Sequence, residues 1–127
     1  MKEQRNRNDY RELVKWKKVD LQQLKDSIDL NIPTDVKELI TSKTRVANIV
    51  QWRSALACSY WLHGMSLTRV GQLINRHHST VLHSIAKLDV AIEGFNHVKV
   101  LDRVRMINYY AYYRIETKKC NQTKFEL

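Results

Sequence analysis

Residues Ser66 to Leu88 read SLTRVGQLINRHHSTVLHSIAKL, and this stretch decides the fold. Ser66 is a good N-cap, its hydroxyl free to accept from an unpaired amide of a first helical turn. Leu67, Val70 and Ile74 follow at helical spacing. Gly71 lies inside that pattern, where glycine costs about 1 kcal/mol relative to alanine; its presence predicts another helix packed close to that face. Asn75-Arg76-His77 carries no apolar residue, and Asn tolerates the left-handed conformation that ends helices. Val81, Leu82, Ile85, Leu88 and Ile92 then resume an apolar stripe, which places Leu82 in the core. The other face offers His78, Ser79, Thr80, His83, Ser84 and Lys87. A short helix, a tight polar turn and a second helix with a donor-rich face make a helix-turn-helix, whose second helix enters the major groove. An ordinary helical hairpin with a solvated polar face has the same spacing.

Charge separates these readings. The chain has 127 residues and a net charge of +9, with 13 acidic residues in all. None of the 13 lies between Glu38 and Asp89, an interval that holds Lys43, Arg45, Arg53, Arg69, Arg76 and Lys87 together with His63, His77, His78 and His83. An ordinary surface interleaves both signs. An acid-free interval centred on a helix-turn-helix suits a phosphate backbone, which any carboxylate there would repel. Only 3 glycines and 1 proline occur, which predicts an all-helical protein and argues against a barrel. Cys58 and Cys120 lack a Cys-x-x-Cys partner, so no zinc finger is indicated, and Cys58 reads as a buried thiol. His78 and His83 are poorly spaced to share a helix face, and no carboxylate accompanies them. A metal-dependent enzyme is therefore disfavoured, and no cofactor is expected. No apolar run follows the basic start and none approaches the length of a membrane span, so the expectation is a soluble cytoplasmic protein without a leader.

Outward from the centre, Lys43 to His63 reads as one long helix. Val46, Ile49, Val50, Leu56, Ala57 and Tyr60 lie along one side, and the second half is nearly apolar all round, as suits a central element. Trp52 and Trp61 are expected to pack rather than stack on bases. Pro33 marks a boundary, after which Thr34 is expected to cap a short helix, Asp35 to Ile40. Asp20 and Gln23 form a capping-box pattern. Tyr10, Leu13, Val14 and Trp16 suggest helix as well, with one or two helices over 9–30 left open. Met1 to Asn8 reads as a frayed start. Beyond Gly94, Val98, Leu101, Val104, Ile107 and Ala111 make a final helix that runs into a tyrosine-rich segment, 109–113.

The run Ser66-Leu67-Thr68-Arg69-Val70-Gly71 followed by Asn75-Arg76-His77-His78-Ser79-Thr80-Val81-Leu82-His83 resembles the DNA-binding C-terminal domain of the bacterial replication initiator DnaA. That family reads S-L-P-E-I-G and then R-D-H-[TS]-T-V-[LI]-H. The resemblance covers roughly residues 32 to 110. It implies a helical bundle that reads a short duplex element, the initiator box. By position, Arg76 would approach a base edge or groove wall, and His78, Ser79 and Thr80 would meet thymine methyls and phosphates. Leu67 and Thr68 would offer backbone amides to a phosphate, and Arg53 and His83 would contact the backbone. Two departures bear on the preferred sequence. His77 stands where the family has an acid, and Val50-Gln51 stands where many members have an Arg-Pro pair whose arginine reaches the minor groove, leaving Arg45 or Lys43 as nearby substitutes. No G-x-x-x-x-G-K-[ST] loop is present, so nucleotide binding of that kind is not expected.

These readings predict an all-α multi-helix bundle: an N-terminal helical extension (1–31), a helix-turn-helix DNA-binding domain (32–117) and a polar tail (118–127). The expected contact set is Lys43, Arg45, Arg53, Leu67, Thr68, Arg76, His77, His78, Ser79, Thr80, His83 and Lys87. The expected partner is double-stranded DNA in a bacterial or phage-infected cell, in replication initiation or its control. The alternatives are a transcription regulator, or a protein-interaction module that meets replication proteins or a second copy through the tyrosine-rich helix.

Overall fold

The computed structural model describes residues 7–14, 16, 19–94 and 97–108. These are all-helical: α1 (Arg7–Leu13), α2 (Leu21–Asn31), α3 (Thr34–Ile40), α4 (Ala47–Leu62), α5 (Leu67–Ile74), α6 (His78–Glu93) and α7 (98–108). No strand occurs among the described residues. None of the described helices is long and apolar enough to cross a membrane. The start before Arg7, the tyrosine-rich segment and the polar tail lie outside the described residues.

Helix α4 is the axis of the bundle. Its second half is buried all round, from Trp52 to Tyr60, as its unbroken apolar sequence demands. It packs against α3, α5 and α6. Ser54 and Ser59 are also buried, and their small hydroxyls are satisfied locally. Ser59 Oγ donates to Ala55 O at 2.9 Å, and Ser54 Oγ accepts from Ser84 Oγ of α6 at 3.3 Å. Cys58 Sγ donates to Ser84 O at 3.3 Å, so the α4–α6 seam is lined by small polar groups that find one another. Trp52 is buried beneath the Arg103 guanidinium, 4.8 Å from the ring centroid, and Arg103 Nη2 donates to Asn48 Oδ1 at 2.8 Å. Trp61 meets Tyr10 edge-on at 5.1 Å.

Residues 9–30 form two helices. The break falls before Asp20, whose carboxylate accepts from Gln23 N at 2.8 Å while Gln23 Oε1 accepts from Asp20 N at 3.2 Å, completing the capping box. Asn8, expected in the frayed start, belongs to α1. Both N-terminal helices join the common core: Tyr10, Val14, Leu24 and Ile28 are buried in one cluster with Val70, Leu88 and Ile107. Arg11 Nε donates to Leu62 O at 2.7 Å, and Ser27 Oγ to Ile107 O at 2.7 Å.

Two expected boundaries move. The helix after Pro33 starts at Thr34 itself, with Pro33 at the N-cap and no side-chain cap. The long helix starts at Ala47, not Lys43. Ser42 Oγ accepts from Thr44 N and Thr44 Oγ1 from Val46 N, both at 3.3 Å. These local bonds offer the backbone an alternative to the helix, and they leave Val46 59% exposed.

Candidate nucleic-acid interface

Helix α5 opens as its sequence requires. Ser66 is extended and its Oγ accepts from Arg69 N at 3.1 Å, leaving the first-turn amides of Leu67 and Thr68 without an intrahelical acceptor. Val70, Gly71 and Ile74 are buried, while Thr68, Arg69 and Gln72 are exposed. Asn75 then takes the left-handed conformation, φ 57° and ψ 50°. The chain folds back so that Arg76 N donates to Gly71 O at 2.8 Å. A Cβ on Gly71 would stand 2.5 Å from Arg76 O. The glycine is thus required by the turn's own backbone, and the neighbour is not the packed helix that the sequence suggested.

His77 caps α6. Its Nδ1 accepts from Ser79 N at 3.2 Å and lies 3.0 Å from Ser79 Oγ. An amide can only donate, so Nδ1 is unprotonated in this geometry and Nε2 carries the hydrogen. The His77 and His78 rings lie together, centroids 4.1 Å apart. Thr68, Gly71, Gln72, Asn75, Arg76, His77 and His78 line an open cleft of about 430 Å³ between the turn and the start of α6.

The buried stripe of α6 is Val81, Ser84, Ile85, Leu88 and Ala91. The exposed one includes His78, Ser79, Leu82, His83 and Ala86, with Thr80 and Lys87 at its margins. Two assignments are therefore corrected. Leu82 is 43% exposed rather than in the core, because Val81 occupies the inner position. Ser84 is inside rather than on the outer face, where only a small side chain lets α6 approach Ser54 of α4.

The cations divide. Lys43 and Arg45 are exposed on the link 41–46. That link meets the helix-turn-helix at two points: Asn75 Nδ2 donates to Thr41 O at 3.0 Å, and Arg76 Nη2 donates to Ser42 O. Arg53, an expected backbone contact, is only 7% exposed. Its Nε donates to Ile40 O at 2.6 Å, and its Nη2 lies 3.4, 3.2 and 3.3 Å from the carbonyls of Leu39, Ser42 and Thr44. Burial, and then the adjacent Arg76 charge, pull this guanidinium below its ordinary pKa range. Arg53 is a structural clasp for the link, which removes it from the expected contact set. Lys87 turns toward α4, its Nζ 3.5 Å from Ser54 Oγ.

Thr68, Arg76, His77 and His78 are thus brought together around the cleft, while Ser79 and His83 are exposed along α6, and Thr80 and Leu67 are half-buried. Lys43 and Arg45 are exposed on the link that Asn75 and Arg76 hold. Gln72 and the side chain of Asn75 join the surface without having been singled out. The exposed polar position one turn before Asn75 was the available signal for Gln72, whereas nothing local announces that Asn75 reaches Thr41. Among the described residues, no three His, Cys, Asp or Glu side chains are grouped to hold a metal. Comparison of the chain with known proteins gives no match to a family model, a curated protein or a solved structure.

Proposed function

We propose that this chain is a sequence-specific double-stranded DNA-binding protein that recognises initiator-box-like elements in replication initiation or its regulation. The observation that carries the reading is the exposed N-terminal face of α6, His78-Ser79 with His83 a turn later, beside a link that presents Lys43 and Arg45. A donor-rich helix start next to exposed cations suits the major groove with phosphates at its rim. The acid-free interval from Leu39 to Leu88 keeps carboxylates of that segment from opposing a polyanion. The role in replication rests on the resemblance of residues 66–83 to the initiator's reading motif; a transcription regulator would use the same surface.

Selection of bound duplexes from a random pool tests this. The expected result is a single enriched element related to the initiator box. Its affinity should fall with salt at a log–log slope equivalent to about five to eight phosphate contacts. Enrichment of no sequence overturns specific recognition, and binding indifferent to salt overturns the DNA reading.

A further inference from the structure

The link between α3 and α4 is held from both sides by side chains that donate to its backbone. From α4, Arg53 takes the carbonyls of Ser42 and Thr44. From the turn, Asn75 takes Thr41 O and Arg76 takes Ser42 O. Ser42 O thus accepts from two guanidiniums. Arg76 also donates from Nη1 to Asn75 O at 2.8 Å, so both of its terminal nitrogens are engaged by backbone. Arg76 is half-buried, whereas Lys43 and Arg45, on the same link, are exposed.

We propose that Asn75 and Arg76 form a latch that fixes the 41–46 link against the helix-turn-helix, making Arg76 a positioning residue and Lys43 with Arg45 a second contact element held in register with α6. The proposal rests on the DNA-binding reading above and changes the part that Arg76 plays in it. For Arg76 to reach a base edge it would have to release two charge-assisted bonds to carbonyls. Held where it is, it places two cations at a fixed offset from the reading helix. The ordering cost of the link is then met in the free protein rather than on binding. The turn is built for this use: the left-handed Asn75 that ends α5 is also the residue whose amide reaches Thr41.

Asn75→Gly keeps the left-handed backbone and the net charge but removes the tie to Thr41. Arg76→Gln removes the tie to Ser42. In the free full-length chain, amide exchange at Thr44 and Val46 should quicken by roughly tenfold in the double variant, the size expected for losing bonds of this kind. Affinity for a mixed-sequence duplex of about two helical turns is then measured against salt. In the otherwise unaltered chain, Lys43→Ala with Arg45→Ala should lower the log–log slope by about 1.8, two phosphate contacts. In the Asn75→Gly, Arg76→Gln background the same pair should lower it by less than about 0.5. Unchanged exchange overturns the latch. An equal loss of slope in both backgrounds overturns the positioning role and makes Arg76 an ordinary contact. A chain that binds no duplex overturns the DNA reading and the link's role in it, while the exchange rates still decide the latch.

Discussion

His77 closes a helix with one ring nitrogen and keeps the other. Its Nδ1 caps α6 through Ser79 N, which leaves Nε2–H as the outward group on an exposed side chain. A lone donor suits guanine O6 or N7 and offers nothing to the cytosine amine. Aspartate is equally good as an N-cap but presents only acceptors. His77→Asp should therefore leave the melting temperature within a few degrees and shift the selected base at the facing position toward cytosine. Identical selected sites for both proteins would exclude His77 from base reading. Leu82 and Leu88 make a second contrast. Leu88 is fully buried and Leu82 is exposed on the outer face of α6. Leu88→Ala should cost about 2–5 kcal/mol, whereas Leu82→Ala should stay within about 1 kcal/mol. Chemical denaturation of the two variants gives the comparison, and equal losses would contradict the helix orientation.

Among the elements, those specified within a few residues were the legible ones. Ser66 and Asp20 cap the helices they precede, and Asn75 adopts the left-handed state expected of it. Each device closes its own hydrogen bonds over three or four positions. Apolar spacing extends the long helix back through 43–46, but the Ser42 and Thr44 hydroxyls take the local amides, and Arg53, 9 and 11 residues further on, takes the carbonyls of Thr44 and Ser42. Val81 and Leu82 are both apolar and adjacent, so periodicity alone does not choose which faces inward; Ser84 settles it by fitting against Ser54. The glycine at position 71 does mark a close approach, but the approaching group is the carbonyl of Arg76 rather than a packed helix. A backbone atom cannot swing aside as a side chain can. Gly71→Ala should cost about 1–3 kcal/mol, as overpacking does, and should weaken duplex binding by displacing the turn. A variant with native stability and native affinity would show that the turn can open at no cost.

For the whole molecule, the central placing of α4 was legible from its apolar sequence, while the joining of α1 and α2 to the same core was not. The links that join them, Arg11 to Leu62 and Ser27 to Ile107, span 51 and 80 residues and leave no local trace. The core they close seals Cys58, whose thiol is pushed up to about 12 by burial, with Lys87 opposing weakly. The unfolded chain loses that proton near 9, so between about 9 and about 12 the native state holds a proton the unfolded state has given up. The thiol's contribution to stability is complete below that window and declines as pH rises through it. At neutral pH, alkylation of Cys58 should proceed no faster than opening of the α4–α6 seam. A rate that matches an unfolded cysteine in the folded protein would contradict the burial.

The bond from Ser27 to Ile107 also sets an order of events in the cell. Its two ends are 80 residues apart, so at about 5–20 residues per second a ribosome makes the donor roughly 4–16 seconds before the acceptor. Throughout that interval the inward hydroxyl of Ser27, buried in the finished protein, can accept from Asn31 of its own helix but has only water to receive its proton. Closure is deferred until α7 has cleared the exit tunnel. Translation that stalls before residue 107 would release a chain that keeps its helix-turn-helix but not its fastening, a product that cellular proteases are well suited to remove.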